Sequence, residues 1–238
     1  MSSSEAEKCP QTRESRTHIT IAGNIGSGKS TVIAELQRIK GDAIYVVPEN
    51  VERWVNDGLL QQMFDGFTDS RSKSSATLTF QVLGPLFDRL KLLCELKTVS
   101  ADMVVTERDL LSVTHVFNRV STDVTYNAAS ISPCYAALFE NLCDMIDDVS
   151  CGDLLKIPAL TVYLRAPADL CYKRIQKRSR ECEIERISLN DLQLLEAKHD
   201  DMIEGLRQSG ANVCVIVIEE DTKVEDIASI VAEKIKNF

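Results

Sequence analysis

The sequence predicts an α/β fold: a five-stranded parallel sheet flanked by helices. Five short apolar runs rich in Val and Ile recur along the chain, and longer segments of helical periodicity separate them. A glycine-rich loop joins the first run to the first helical segment. Ligands of such sheets bind at the carboxyl ends of the strands, so polar residues just after the apolar runs are the first candidates for a site.

The predicted elements follow from run length and periodicity. The strands are each too short for a typical helix, and they span residues 18–22, 43–47, 102–106, 159–164 and 212–218. The helices span residues 29–40, 54–64, 73–98, 108–119, 133–148, 167–180, 188–208 and 223–237. Because no repeat or long linker interrupts this alternation, we predict one domain over residues 17–238. A disordered polar tail over residues 1–16 precedes it.

Composition limits the partners and the compartment. The net charge of −9 argues against binding nucleic acid through a broad basic surface. No apolar run approaches the ~20 residues of a membrane-spanning helix, so no membrane partner is expected. The eight cysteines form no CxxC pair, and nothing resembles a secretory signal, which indicates a reducing compartment. Acidic residues in the tail argue against a mitochondrial transit peptide, so we expect a cytoplasmic protein, with the nucleus open.

The glycine-rich loop matches the phosphate-binding pattern GxxxxGK[ST] without a mismatch, as GNIGSGKS. Glycines let backbone amides point into one concavity, and the N-terminus of the following helix favours the same anion. Lys29 adds a positive charge, and the hydroxyl of Ser30 can bind Mg²⁺. We therefore predict that a nucleoside triphosphate is held by Gly23, Asn24, Ile25, Gly26, Ser27, Gly28, Lys29, Ser30 and Thr31.

Four further stretches occur in a recognisable order. "PENVERW" (48–54) follows the second predicted strand and "TERDLLSVTHVF" (106–117) follows the third, while "FQ" stands at 80–81 and "YLRAPADLCYKRIQKRSRECE" at 163–183. Together with the phosphate loop, they resemble the deoxynucleoside kinase family: the thymidine, deoxycytidine and deoxyguanosine kinases of the non-herpesviral type. The resemblance spans nearly the whole chain from Thr17 onward. It implies a P-loop kinase fold with an arginine-rich lid, and transfer of a phosphoryl group from ATP to a deoxyribonucleoside.

The resemblance also implies roles for residues after the second and third strands. Glu49 corresponds to the family's general base, and Arg108 would steady both Glu49 and the acceptor. Glu107 would help Ser30 to hold Mg²⁺. Phosphoryl transfer needs alignment and charge neutralisation more than covalent chemistry, and Lys29 with these residues offers both.

The basic run after the fourth strand corresponds to the family's lid. Arg174, Arg178 and Arg180 match RxxxRxR, and the guanidinium fork suits phosphate oxygens. Glu183 falls where the family keeps a carboxylate for the sugar 3′-hydroxyl. One extra residue before "ISL" leaves Glu185 as an alternative.

The sequence gives fewer signals for the site that binds the base of the phosphate donor. By resemblance, the loop around Asp221 and Thr222 should border it. No NKxD-like guanine signature occurs in the chain, so ATP is the expected phosphate donor.

The acceptor pocket is predicted mostly by resemblance. Gln81 should pair with the base edge, since an amide offers one donor and one acceptor. Phe80 and Phe117 should lie near the base, with Trp54 closing the pocket. Phe64 stands where relatives carry a tyrosine whose hydroxyl contacts the 3′-oxygen, so that contact is absent here. The remaining predicted pocket residues are Leu60, Met63, Gly84, Asp88 and Val113.

The choice of base stays open. Gly84 and Val113 leave room for a 5-methyl group, which favours thymidine. Yet a buried Asp88 would need a donor, such as an exocyclic amine, unless it pairs with a nearby arginine or water. We predict a pyrimidine deoxynucleoside and keep the purines as an alternative.

Three other functions are alternatives to a deoxynucleoside kinase. A nucleoside monophosphate kinase would share the loop and lid, and a catalytically silent structural relative would share the fold. A switch GTPase would need guanine and hydrolysis signatures that the chain lacks.

Relatives pair through helices beside the core, and residues 73–98 and 133–148 carry more apolar positions than one buried face needs, so a homodimer is expected.

Overall fold

A five-stranded parallel sheet forms the core of the protein. The computed structural model describes residues 17–49, 51–58, 60–61, 99–109, 112–117, 158–184 and 186–238. The strands are β1 (Thr17–Gly23), β2 (Ile44–Val47), β3 (Met103–Glu107), β4 (Leu160–Arg165) and β5 (Val213–Val217), in the order β2-β3-β1-β4-β5. All neighbouring pairs are parallel. The predicted sheet is confirmed, and no strand end differs from its prediction by more than one residue.

β1 is the central strand, and the site depends on its position. Ile19 pairs with Val105 on one side and with Leu160 on the other, and Ile19 and Ile21 are fully buried. From β1 the chain runs to the edge strand β2, returns to β3, and then crosses to β4. This reversal beside β1 opens a crevice at the carboxyl ends of β1 and β3, which is where sheets of this type bind ligands.

Helices cover the sheet. Those described are α1 (Lys29–Lys40), α2 (Val51–Asn56), α3 (Ala168–Arg178), α4 (Glu181–Ile184), α5 (Leu189–Gln208) and α6 (Val224–Lys234). Short turns of other helical types span Gly41–Ala43, Val113–Phe117 and Ile235–Asn237. α1 packs against α6, and α5 packs against α3 and the Val113–Phe117 turn. None of these described helices is both long and apolar enough to cross a bilayer.

α5 begins and packs as its sequence predicts. The Ser188 hydroxyl accepts a hydrogen bond from the Asp191 amide at 3.2 Å, and the Asp191 carboxylate accepts one from the Ser188 amide at 2.8 Å. This reciprocal capping box satisfies amides that a helix start leaves unpaired. Leu192, Leu195 and Ile203 then face the core. The strong start and the apolar face fix α5 beside the crevice.

Three predicted helices are shortened or broken at or near a residue with left-handed backbone. The helix predicted over 54–64 begins earlier, at Val51, and α2 ends at Asn56, shortly before Gly58 (φ +71°). Residues 60–61 of the predicted span are again helical. The one predicted over 108–119 cannot begin at Arg108 (φ +67°). The one predicted over 167–180 breaks at Ser179 (φ +56°).

Other predictions lie outside the described residues. These are the helices over 73–98 and 133–148, and the tail over 1–16.

Candidate active site

A cleft of about 920 Å³ lies at the carboxyl ends of the strands. The phosphate loop, the segments that follow β2, β3 and β5, and the arginine-rich segment around α3 and α4 all border it. The predicted site residues that line it are Ile25, Gly26, Ser27, Gly28, Lys29, Ser30, Thr31, Glu49, Trp54, Leu60, Glu107, Arg108, Val113, Phe117, Arg174, Arg178, Arg180, Glu183 and Thr222. Residues distant in sequence therefore meet in one cleft.

The phosphate loop has a backbone that only glycine accommodates at Gly26. Its φ is +81°, and a Cβ there would lie 2.8 Å from the carbonyl oxygen of Cys171 in α3. Asn24 links the loop to α5. Its side-chain amide donates to the carbonyl of Leu192 at 2.8 Å and accepts from the Ile25 amide at 2.8 Å. The loop is thus fixed to both α3 and α5.

The loop presents positive charge to the cleft. Lys29 is buried, and its Nζ donates to the carbonyls of Gly23 (3.1 Å) and Asn24 (2.9 Å). Burial, assisted by the positive charge of Arg108, lowers the pKa of Lys29 to about 8. α1 begins directly after Gly28, and no side chain caps it. The first backbone amides of the helix are therefore available to an anion in the cleft. This arrangement fits the phosphates of a nucleotide.

Ser30 and Glu107 lie beside Lys29 and offer side-chain oxygens that can bind a metal ion. The Ser30 hydroxyl donates to Oε1 of Glu107 at 2.6 Å across the start of α1 and the end of β3. A hydroxyl and a carboxylate are the hard oxygen ligands that Mg²⁺ prefers, usually together with phosphate oxygens. The residues present therefore fit a magnesium ion bound with a nucleotide.

Glu49 and Arg108 form a largely buried ion pair just after β2 and β3. Nη1 of Arg108 donates to Oε1 of Glu49 at 2.6 Å, and the two side chains are 13% and 11% exposed. The left-handed backbone of Arg108 is held by a hydrogen bond from its amide to the Ile21 carbonyl at 3.1 Å. Its guanidinium lies 4.3 Å from the centre of the Phe117 ring, an attractive cation–π geometry. The pair is therefore fixed in place.

His199, which the sequence did not mark as a site residue, packs against the Phe117 ring that lies beside Arg108. Its ring stacks on Tyr163 (centroids 5.8 Å apart) and meets the Phe117 ring edge-on (6.1 Å). Nδ1 donates to the Leu195 carbonyl at 2.7 Å, and burial lowers the pKa of His199 to about 3, so the ring is neutral. Its spacing of four from Leu195 on the apolar face of α5 was the available signal.

The lid arginines do not act as one group. Arg174 lies against the phosphate loop, where Nη1 donates to the Ser27 carbonyl at 3.2 Å. Arg178 and Arg180 instead bind Glu183: Nε of Arg178 donates to Oε2 at 2.8 Å, and Nη1 of Arg180 donates to Oε1 at 3.3 Å. The Glu183 side chain is only 3% exposed.

The side of the cleft after β5 combines a predicted residue with unpredicted ones. Thr222 lines it and accepts a hydrogen bond from the Glu219 amide at 2.8 Å, whereas Asp221 is exposed and is not among the lining residues. Val224 and Ile227 of α6 form an apolar wall there. Their spacing of three at the start of a helix was the signal.

Several predicted residues lie outside the part of the chain that the structure describes. They are Met63, Phe64, Phe80, Gln81, Gly84, Asp88 and the alternative Glu185.

Comparison with known proteins agrees with this architecture. A family model described as deoxynucleoside kinase matches residues 19–238. A probable deoxycytidine kinase of fowlpox virus is 27% identical over 209 residues, which cover 87% of this chain and 80% of the relative. The thymidine kinase of Ictalurid herpesvirus 1 is 29% identical over 181 residues (76% and 71%), and the deoxycytidine kinase of Mus musculus is 27% identical over 242 residues (92% and 90%). The chain belongs to the deoxynucleoside kinase family and is an ATP-dependent nucleoside kinase.

Proposed function

We propose that this kinase transfers the γ-phosphoryl group of Mg-ATP to the 5′-hydroxyl of a deoxyribonucleoside, as a step in the salvage of DNA precursors. The observation that carries the proposal is the Glu49–Arg108 pair. It borders the same cleft as the phosphate loop, and its carboxylate lies 2.6 Å from a guanidinium that keeps it in place. A carboxylate so positioned can receive the proton of an attacking hydroxyl.

The chemistry assigned to this pair is a single displacement. The 5′-oxygen forms a bond to the γ-phosphorus while the bond from that phosphorus to the departing ADP oxygen breaks, and Glu49 takes the hydroxyl proton. Lys29 and the lid arginines would neutralise the charge on the transferring group. Mg²⁺, when held by Ser30 and Glu107, supplies further neutralisation at the phosphate oxygens.

The donor nucleotide is proposed to extend from the loop towards α6. Thr222, Val224 and Ile227 line that side of the cleft, and an apolar wall suits the face of a nucleobase. Asp221 remains a proposed donor-base contact although it is exposed.

For the acceptor we propose a pyrimidine deoxynucleoside. The relatives named above are deoxycytidine and thymidine kinases, which supports that class. Trp54, Leu60, Val113 and Phe117 all line the cleft and would enclose the base. The proposed readers of the base edge, headed by Gln81, lie outside the described residues.

A nucleoside and nucleotide panel tests this proposal. With γ-labelled ATP, we expect labelled 5′-monophosphates from thymidine or deoxycytidine, with higher kcat/KM than from deoxyadenosine or deoxyguanosine. Label transfer only to thymidine monophosphate would indicate a nucleotide kinase, and no transfer at all a silent relative. A purine preference would overturn the choice of base. An unchanged ranking in Asp88→Asn would remove Asp88 from the base site.

Assembly and location are the remaining proposals. We expect a homodimer held by the helices predicted over 73–98 and 133–148, in the cytoplasm. Light scattering that gives the monomer mass of 26.5 kDa at micromolar concentration would reject the dimer.

A further inference from the structure

Two lid arginines converge on one carboxylate. Arg178 binds Oε2 of Glu183 through both Nε (2.8 Å) and Nη2 (2.6 Å), and Arg180 binds Oε1 at 3.3 Å. The carboxylate is 3% exposed, whereas the arginine side chains are 35% and 39% exposed. All three residues border the cleft that contains the phosphate loop. The buried partner is therefore the carboxylate, and the exposed partners are the cations.

This geometry leaves the arginines able to bind a second anion. A guanidinium carries five N–H donors in a rigid fork, and Glu183 uses two from Arg178 and one from Arg180. Two cations and one carboxylate leave one net positive charge in the group. Phosphate oxygens in the cleft can thus bind the unused edges of both arginines while Glu183 keeps hold of the others.

The arginine side chains therefore lose their rotamer entropy before the nucleotide binds. A free arginine side chain loses rotamer entropy when it is fixed. The two hydrogen bonds from Arg178 and the one from Arg180 fix these side chains against a buried group. Electrostatic stabilisation of a transition state depends on such prior alignment.

We propose that Glu183 is a positioning residue for the phosphate-binding arginines, one that holds Arg178 and Arg180 in the orientation used during phosphoryl transfer. This inference rests on the proposed function and deepens it. A carboxylate that served only the sugar 3′-hydroxyl would act on the acceptor alone. A carboxylate that positions the arginines acts on the donor side even when the acceptor has no 3′-hydroxyl.

The test therefore removes the hydroxyl and the carboxylate separately. Steady-state kinetics with varied ATP compare wild type, Glu183→Gln and Glu181→Gln, each with the best deoxynucleoside and with its 3′-deoxy analogue. Glu181 is the matched control, because it lies two residues away in α4, is exposed, and is not among the residues that line this cleft. We expect Glu183→Gln to lower kcat at least about tenfold with both acceptors, the loss typical of one charge-assisted hydrogen bond, with a smaller change in the KM for ATP. Glu181→Gln should match wild type.

A second variant tests the route of the effect. Arg178→Lys keeps the charge and removes the fork. Because Glu183 and Arg178 act through the same contact, Glu183→Gln should cost less kcat in the Arg178→Lys background than in wild type.

Either of two results would overturn the inference: a Glu183→Gln defect that vanishes with the 3′-deoxy acceptor, or fully additive losses in the double variant. If wild type phosphorylates no deoxynucleoside, the proposed function fails instead, and the same assay shows it.

Discussion

At the scale of single residues, the site places charges where water cannot easily solvate them. Lys29 is almost fully buried beside Arg108, and among the described residues only carbonyl oxygens of its own loop accept its hydrogen bonds. Desolvation and the neighbouring cation both disfavour its charged form, which is why its pKa falls to about 8. A bound polyphosphate would reverse that balance, because it brings negative charge to the ammonium group.

The affinity for ATP should therefore depend on pH in a defined direction. In the free protein Lys29 loses its proton as the pH rises through about 8, and the neutral amine attracts phosphate less. We expect the Kd for ATP to rise above pH 8, by up to about tenfold per pH unit. Calorimetric titration between pH 7 and 9.5 measures this rise. In Lys29→Arg the guanidinium stays charged, so the rise should disappear; an equal rise in that variant would assign the titration to another group.

At the scale of elements, the phosphate loop is fixed by contacts with two helices. Gly26 approaches the α3 backbone, and Asn24 is tied to the Leu192 carbonyl in α5. The rigidity of the loop thus comes from packing against elements more than 140 residues further along the chain, as Arg174 on Ser27 also shows.

Two glycine-to-alanine variants distinguish the close packing at Gly26 from the ordinary effect of replacing a glycine by alanine. In Gly26→Ala the new methyl group would lie 2.8 Å from the Cys171 carbonyl at a left-handed φ. We expect a loss of about 1–3 kcal/mol in stability and a raised KM for ATP. Gly205, inside α5, has no heavy atom within 4 Å of its virtual Cβ, so Gly205→Ala should stabilise by about 0.5–1 kcal/mol. Urea unfolding compares them, and equal effects of the two changes would contradict the packing described.

Element boundaries show what the sequence could and could not predict. Strands and the long helix α5 were predictable, because apolar periodicity and a capping box are local signals. The interruptions at Arg108 and Ser179 were not. A non-glycine residue with positive φ is imposed by its surroundings, here by the hydrogen bond from the Arg108 amide to the Ile21 carbonyl in β1. A tertiary contact, which the sequence does not display, decided the position of Arg108. Ser179 is the left-handed residue that ends α3, and its amide donates to the Ile175 carbonyl at 3.2 Å, although serine is not a residue that marks such an end.

At the scale of the whole molecule, the sheet order brings the chemistry together. Glu49 and Arg108 are 59 positions apart, and Ser30 and Glu107 are 77 apart, yet each pair is joined by a hydrogen bond of 2.6 Å. β3 lies between β2 and β1, so its carboxyl end delivers Glu107 to the phosphate loop and Arg108 to Glu49. The rule that ligands bind at strand ends predicted this meeting.

The partners of some site residues could not be predicted in the same way. The sequence marked Glu183, Arg178 and Arg180 as separate ligands for sugar and phosphate. Their mutual ion pairs depend on the break at Ser179, which folds α4 back towards α3. His199 likewise acquires its place only when α5 packs against the Val113–Phe117 turn.

We propose above all that Glu49, held by Arg108, takes the proton of the acceptor hydroxyl. The most direct measurement is the rate of phosphoryl transfer in Glu49→Gln under single-turnover conditions with saturating ATP and deoxynucleoside. The amide oxygen can still accept the hydrogen bond from Arg108, so the fold and ATP affinity should persist. Glu204→Gln, an exposed change in α5, is the control and should react like wild type. We expect a rate at least about 10²-fold below wild type; a near-normal rate in Glu49→Gln would exclude Glu49 as the base.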